Sequence, residues 1–289
     1  MISLAGIAVL FIGVFGGYIM AGGSFGIIIK TLPFELTMIG GAAIGALLVN
    51  NSMPVVKQTV KGLGSFVSGS RWKRDDYRDL LCLLFLLTKL MKTKGMVALE
   101  AHIERPAESS IFQRFPKIAK DHFATDLICD SLRMMTMNLD DPHQLEDVME
   151  KLLEKHHHES LAASHALQTM ADGLPALGIV AAVLGVIKTM GSINEPPEVL
   201  GKMIGGALVG TFLGVFLAYG IVGPIAGRLK QIADEDFLFY QIIRDVLVAH
   251  LNGNAAQVSV EMGRTRVPTE IQPSFLELEQ AIEATPAEA

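Results

Sequence analysis

Four apolar stretches alternate with polar segments along this chain of 289 residues. Charged residues are absent from 1–29, 36–56, 173–187 and 203–227, whereas 57–172 holds most of the Lys and Arg. About twenty apolar residues in a helix are enough to cross the hydrocarbon core of a bilayer. The pattern therefore predicts four transmembrane helices and a soluble domain, rather than one large soluble core.

The predicted fold class is an all-α membrane protein with a helical cytoplasmic domain between the second and third transmembrane helices. The predicted parts are, in order, a transmembrane hairpin at 1–56 with helices at about 2–21 and 34–55, the cytoplasmic domain at 57–172, the third and fourth helices at about 174–190 and 203–226 within 173–227, and a cytoplasmic tail at 228–289. The first helix is expected to be retained, because no basic residue precedes its apolar run as in a signal peptide.

One apolar run within the polar part of the chain is too short to cross a bilayer. Its uncharged core, Leu80 to Thr88, lies between Asp79 and Lys89, so we predict a buried helix of the cytoplasmic domain. Gly95 is expected to end this helix.

A second long helix is predicted to start at Asp141-Pro142 and to meet no breaker until Gly173. It can therefore enter the membrane as the third span. In the tail, a helix is predicted to about Leu251, followed by a polar end punctuated by prolines.

The distribution of Lys and Arg predicts the orientation. The 57–172 segment carries 16 of them and the tail carries 5, whereas one short external loop holds Lys30 and the other holds Lys202, near Lys188. Cytoplasmic loops carry the excess of positive charge. Both termini and the middle domain are therefore predicted to be cytoplasmic.

Composition excludes several other classes of protein. Half of the residues are hydrophobic, only 19% are charged, and the mean hydropathy is +0.40. The net charge of −6 comes without a basic stripe, so no nucleic-acid binding is expected. Cys82 and Cys129 lack metal-ligand spacing, and the sequence has no phosphate-binding loop or catalytic triad, so neither an enzyme nor a cofactor is predicted.

The predicted membrane helices have no ionisable residue at their centres. Glu35 lies at the predicted start of the second helix, while Asp172 and Lys188 bracket the third. A charge at the bilayer centre costs about 2.5–3.5 kcal/mol on the insertion scale. If the chain conducts ions, we therefore expect another polypeptide to supply the titrating residue.

Two prolines and a threonine stand out in the last two predicted helices. Pro175 and Pro224 lie near the cytoplasmic ends, where each removes a backbone N–H donor. They either bend the entry and exit of the helices or act as hinges. Thr211 either hydrogen-bonds its own helix or lines an ion path.

One long block resembles a known family. The last two membrane helices of flagellar motor MotA proteins are similar to residues 174–226, which read LPALGIVAAVLGVIKTMGSINEPPEVLGKMIGGALVGTFLGVFLAYGIVGPIA. The resemblance continues in family order through FELTMIGGAAIGALLVNN, GMVALEAHIERP and PSFLELEQAI. It therefore spans nearly the whole chain.

The resemblance implies a subunit of the flagellar motor stator, embedded with lipid in the bacterial inner membrane. Five such subunits would form a ring around a dimer of a MotB-like partner, which supplies the ion-binding Asp and a peptidoglycan anchor. Ion flow would turn the ring and push on a rotor switch-complex protein of the FliG type. This chain would then serve flagellar rotation and chemotaxis as half of a proton channel.

The family's functional residues map onto this chain by position. Pro175 and Pro224 match its two functional prolines, and Glu100 matches its acidic residue that faces the rotor. Lys92 occupies the place of its rotor-facing basic residue, commonly Arg, and Lys94 lies close enough to share that role. An ordinary solvated face is the alternative for all three charges.

The ion that the family transports is expected to depend on two positions. Sodium-driven relatives tend to have Thr at the positions of both Ala182 and Thr211, where hydroxyl oxygens help to replace the hydration shell of sodium. Ala182 cannot supply such an oxygen. The resemblance therefore predicts proton coupling.

Two other kinds of membrane protein compete with this interpretation. An ExbB/TolQ-type subunit, which energises outer-membrane processes, has a single membrane helix before its cytoplasmic domain, whereas two are predicted here. A self-contained transporter should carry its own ionisable or substrate-binding residues at mid-membrane.

Overall fold

A computed structural model describes the chain at residues 2–285, apart from 138 and 140. Every regular element in these residues is helical, as predicted. The helices are α1 (Ile2–Phe11), α2 (Gly17–Met20), α3 (Gly26–Asn50), α4 (Met53–Ser68), α5 (Arg74–Lys94), α6 (Met96–Ile103), α7 (Ser110–Gln113), α8 (Pro116–Ala119), α9 (His122–Thr136), α10 (Pro142–Met190), α11 (Pro197–Phe216), α12 (Gly223–Leu251), α13 (Ala256–Arg264) and α14 (Phe275–Ala284). The π-helical segments Ile12–Gly16 and Leu217–Val222 join α1 to α2 and α11 to α12.

The described residues form two compact units. The apolar unit comprises those of Met1–Gly69 and Ser160–Ile232, and the polar unit comprises those of Ser70–Glu159 and Ala233–Ala289. Most of the segment predicted as a tail therefore belongs to the same unit as 70–159.

Four helices are long and apolar enough to cross a membrane, judged by length and composition. They are Ser3–Met20, Gly26–Asn50, Pro142–Met190 and Pro197–Leu251, the last including the π-helical segment between α11 and α12. α10 passes through Gly173 and reaches Met190 without a break, as the sequence predicts.

The second apolar helix begins earlier than predicted. α3 starts at Gly26 rather than near Phe34, and Pro33 lies inside it rather than in a loop. Apolar surroundings tolerate a proline in a helix when neighbouring groups adjust, and Thr37 Oγ1 donates a 2.8 Å hydrogen bond to the Pro33 carbonyl. Glu35 is thus an interior residue of α3, and the prediction that it lies at the start of the helix is wrong.

Aromatic rings join the beginning of the chain to α11. Phe11 contacts Phe216 edge to face, with centroids 5.3 Å apart, and Phe15 contacts the same ring at 5.4 Å. Such pairs add to the stability that burial alone provides. They fix the first apolar helix against α11.

The core of the polar unit is built around α5. Its apolar run is buried, as predicted, apart from the partly buried Phe85, and includes five leucines with no exposed surface, Leu80, Leu81, Leu83, Leu84 and Leu87. Gly95 follows α5 with a φ of 81°, a left-handed conformation that glycine adopts without a steric cost. The predicted end of this helix is therefore confirmed.

The segment before α5 ties two other helices to this core. Trp72 stacks on Phe239 of α12, with ring centroids 3.8 Å apart. Arg71 forms an ion pair with the buried Asp121. Asp121 also caps α9, because its carboxylate accepts a 2.8 Å hydrogen bond from the Ala124 N–H.

Two further helices follow α12, which ends at Leu251 as predicted. They lie in the segment predicted only as polar and punctuated by prolines, and they bury Val260 and Leu278 completely. Ser274 and Glu277 form a reciprocal capping box at the start of α14. This Ser-x-x-Glu spacing is the sequence signal that predicts a helix here.

Both cysteines should be unreactive in the folded protein. Burial raises the pKa of Cys82 to about 11 and that of Cys129 to about 12. Because the thiolate is the nucleophile, we expect iodoacetamide at neutral pH to modify neither residue until denaturant unfolds the polar unit. Mass spectrometry gives the extent of modification, with Thr93→Cys as an exposed control on α5. Modification of Cys82 and Cys129 at the rate of the control would contradict this packing.

Candidate functional site

Helices α10 and α11 touch through their backbones at three glycines, Gly178, Gly210 and Gly214, called the glycine seam below. A Cβ on Gly178 would lie 2.8 Å from the Gly210 carbonyl oxygen. A Cβ on Gly214 would lie 2.7 Å from the Leu174 carbonyl oxygen and 2.8 Å from Gly178 Cα. Small residues of this kind let apolar helices approach closely. The seam leaves no room for a side chain.

Helix α3 packs against the glycine-containing face of α11, and two successive turns of α3 contact two successive turns of α11. A Cβ on Gly206 would lie 2.8 Å from Thr31 Cγ2, and a Cβ on Gly210 would lie 2.6 Å from Glu35 Oε2. Thr31 and Glu35 are four residues apart on α3, and the two glycines are four residues apart on α11, so each pair lies on one helix face. Gly210 is thus the point at which α3, α10 and α11 meet.

The predicted ion-path residues border this meeting point. A Cβ on Gly210 would lie 3.3 Å from the backbone nitrogen of Ala182, and Thr211 is the next residue of α11. Both Ala182 and Thr211 are partly buried. Thr37 and Thr189 donate to carbonyls of their own helices, but within the described chain the Thr211 hydroxyl makes no such bond. The Thr211 hydroxyl is therefore available to another group.

The two prolines lie on either side of one contact between helices. Pro175 is inside α10, four residues or about 6 Å after Ala171. Ala171 Cβ lies 4.0 Å from the position of a Cβ on Gly223, which immediately precedes Pro224. Each proline leaves the carbonyl four residues before it without its helical donor.

Irregular backbone accompanies the second proline. The π-helical segment Leu217–Val222 ends just before Pro224, where the missing N–H prevents a regular α-helical bond to Gly220. Such π-helical turns are frequent at functional sites and at kinks. The entry of α12 thus has a defined structural cause for bending.

The three predicted rotor residues lie in the polar unit, around the turn at Gly95. Lys92 and Lys94 are in the last turn of α5, and Glu100 is in α6. All three side chains are exposed. None of them forms an ion pair within the described part of the chain, so they are available to a partner.

Glu35 is a residue of this site that the sequence analysis did not place in the interior of a helix. It lies nine residues, about 14 Å, from the start of α3 and is only 5% exposed. Its Oε2 atom is buried and has no hydrogen-bond partner among the described residues. The apolar residues Ile27 to Ile29 before Lys30 are the signal that extends the helix backwards and places Glu35 inside it.

A cavity of about 870 Å³ lies beside α3, α10 and α11. Glu35 lines it, together with three basic residues, Lys30 of α3, Lys188 of α10 and Lys202 of α11. Lys202 Nζ lies 2.7 Å from Glu198 Oε1 on its own helix. The cavity also reaches Ser24, in the loop before α3.

No group of three or more His, Cys, Asp or Glu residues in the described chain has a geometry that could hold a metal ion. The described residues that line the cavity instead offer one carboxyl, the hydroxyls of Ser24, Thr31 and Thr189, and three lysine ammonium groups.

Comparison with known proteins gives matches over nearly the whole chain. Residues 4–95 match the family described as Motility protein A N-terminal, and residues 119–241 match the MotA/TolQ/ExbB proton channel family. Motility protein A of Escherichia coli is 39% identical over 284 residues, which cover 98% of this chain and 96% of that protein.

Two solved structures have the same fold. The structure of C. jejuni MotAB matches with a TM-score of 0.73 at 17% identity, covering 93% of this chain and 96% of that one. The flagellar MotAB stator complex of Bacillus subtilis matches with a TM-score of 0.68 at 20% identity, covering 92% and 96%.

Inserting a side chain into the glycine seam should destabilise the apolar unit. Gly178→Ala would press a methyl group against the Gly210 carbonyl, and we expect it to cost about 1–3 kcal/mol and to lower the midpoint of thermal aggregation in detergent. Gly173→Ala is the matched control, because nothing lies within 4 Å of its Cβ position. Alanine favours the helix there by about 0.8–1.0 kcal/mol. Equal midpoints for the two variants would contradict the seam.

Proposed function

Because this chain belongs to the MotA/TolQ/ExbB proton channel family and is a subunit of a flagellar stator, we propose that its four apolar helices cross the bacterial inner membrane with both termini in the cytoplasm. The excess of Lys and Arg in 57–172 and in the tail supports this orientation. The family is one of ion channels, not of enzymes. The match of residues 4–95 to the motility-specific description favours the motor over the ExbB/TolQ alternative.

A MotB-like protein is the proposed partner in the membrane. The observation that carries this proposal is the seam between α10 and α11, where backbone meets backbone and no charged residue occurs in 173–187 or 203–227. The main ion-binding carboxylate beside this pair would then be an Asp of the partner, which also provides the peptidoglycan anchor. The two similar solved structures are both of MotAB.

The chain would act as one of several copies, five by family resemblance, in a ring around that partner. Ion flow would turn the ring, and the soluble parts at 57–172 and 228–289 would carry the motion to a FliG-like rotor protein. A single charge that crosses about 100 mV releases only about 2.3 kcal/mol. Torque must therefore accumulate over many ions.

Pro175 and Pro224 are the proposed hinges between ion binding and this motion. Both lie within about one turn of the Ala171–Gly223 contact, so bending at either proline changes the same packing. The π-helical segment before Pro224 supports a bend at that point. Movement at the membrane would thereby reach the soluble part of the chain.

We propose proton coupling because few side-chain oxygens surround Gly210. Ala182 borders this point with a methyl group and offers no side-chain oxygen, although Thr211 offers one. A dehydrated metal cation needs several oxygen ligands in place of its water. A proton needs only one acceptor.

Reversing the charge at the rotor-facing positions should stop rotation without preventing assembly. Lys92→Glu and Glu100→Lys change exposed side chains, whose replacement usually alters stability by about 0.5 kcal/mol or less. We expect non-swimming cells in which fluorescently labelled stators still gather at the motors. Lys151→Glu is an exposed control on α10 and should leave swimming unchanged, while Lys94→Glu tests the neighbouring lysine. Normal swimming of both reversed variants would refute this role.

The transported ion can be identified by exchanging the medium. Cells that rely on this stator alone should swim equally in sodium-rich and in sodium-free, potassium-matched buffer, because Ala182 provides no ligand for sodium. A protonophore should stop them in both. Swimming speed that rises with sodium concentration would show sodium coupling instead.

A further inference from the structure

The Glu35 carboxyl lies where Gly210 has no side chain. Its Oε2 atom is 2.6 Å from the position of a Cβ on Gly210, so a side chain at 210 would require the carboxyl to move. The side chain is 5% exposed, and Oε2 has no hydrogen-bond partner in the structure. A buried polar atom of this kind normally has a partner, and so its lack of one calls for an explanation.

An ion pair does not provide that explanation. The charged groups that face the cavity from the surrounding helices are Lys30 on α3, Lys188 on α10 and Lys202 on α11. Within the described residues none of them pairs with Glu35, and Lys202 is engaged with Glu198 at 2.7 Å. Thr31, one turn from Glu35, donates its hydroxyl to the Ile27 carbonyl at 3.0 Å.

The cavity connects this carboxyl with the loop before α3. Its lining runs from Ser24 past the three lysines to Glu35 and Met38. With the orientation proposed above, that loop faces the outside of the cell, and the cavity is a vestibule that admits water to Glu35. An ionisable side chain inside a membrane helix marks an ion pathway by default.

We propose that Glu35 is a proton-binding carboxyl of this chain, loaded from the outer vestibule. A proton from vestibule water adds to the carboxylate to give the neutral acid, and the same proton leaves when the carboxylate forms again. This inference rests on the proposed stator function, and it adds a second proton-binding group to the one expected on the partner.

The lining of the site favours a proton over a metal cation. Besides Glu35, the charged groups of the vestibule are three lysine ammonium groups, which provide no oxygen ligand for a metal cation. The other two atoms nearest to the Gly210 Cβ position are Ala181 Cβ and the Ala182 backbone nitrogen, neither of which is a cation ligand. Glu35 is thus the one carboxylate among the described residues that line the vestibule.

The location of Glu35 links it to the rest of the proposed path. The Ala182 backbone nitrogen and Glu35 Oε2 both border Gly210, at 3.3 and 2.6 Å from its Cβ position. Thr211 follows Gly210 directly. A proton that leaves Glu35 therefore starts beside the two residues assigned to the ion path.

Labelling of the assembled stator complex in native membranes tests the proposal directly. Dicyclohexylcarbodiimide reacts with protonated carboxyls in apolar surroundings, and mass spectrometry identifies the modified residue. We expect modification at Glu35, decreasing as the external pH rises. Glu198, which is exposed and paired with Lys202, should remain unmodified. No modification of Glu35 at any pH would overturn the proposal.

Swimming provides the second measurement. Glu35→Gln keeps the shape but cannot bind and release a proton, and we expect swimming to slow several-fold, while Glu35→Asp retains part of the speed and shifts its dependence on external pH. Glu198→Gln is the control and should match the wild type. Wild-type speed of Glu35→Gln at every external pH would overturn the proposal, and if that variant fails to assemble, the labelling decides.

These experiments distinguish a failure of the Glu35 proposal from a failure of the proposed stator function. If the wild-type stator works with protons but Glu35→Gln is indistinguishable from it, only this inference fails. If the wild-type stator requires sodium while Glu35 is labelled as expected, proton coupling of the stator fails and the proton site of Glu35 stands.

Discussion

Helices α10 and α11 meet through backbone atoms at Gly178, Gly210 and Gly214, which leaves no space for a side chain between them. Most of the apolar unit depends on this contact. Because α11 has glycine at 206 and 210, Thr31 and Glu35 of α3 pack directly against its backbone. Without a hydrophobic driving force between helices in lipid, close backbone packing is what makes such a contact favourable. The seam therefore sets the positions of all three helices.

The same seam explains how function is divided between this chain and its proposed partner. The closely packed stretches 173–187 and 203–227 contain no carboxylate, and they can present a face to a carboxylate from elsewhere. The proposed hinges are Pro175 and Pro224, each of which removes a helical hydrogen bond, and the π-helical segment Leu217–Val222 precedes the second. Glu35 of α3 borders the seam at Gly210 and gives the apolar unit a buried carboxyl of its own.

Much of this architecture can be predicted from the sequence. Long uncharged runs leave few alternatives to apolar helices, and Gly95 ends α5 because glycine adopts the positive φ that the end of the helix needs. Two features do not follow. The start of α3 is hidden by Lys30, which interrupts the uncharged run, and by Pro33, which usually ends or kinks a helix in water but is tolerated in an apolar setting. The burial of Glu35 against Gly210 depends on residues 175 positions apart in the chain, and no local pattern reveals such a pairing.

The most direct measurement is the purification of this chain from native membranes and the identification of what comes with it. The account predicts a stable complex with a single-span protein that has an Asp in its membrane helix and a domain that binds peptidoglycan. Mass spectrometry of the purified complex would detect that partner and give the number of copies of each chain. A chain that purifies alone and conducts protons by itself in vesicles would contradict the account.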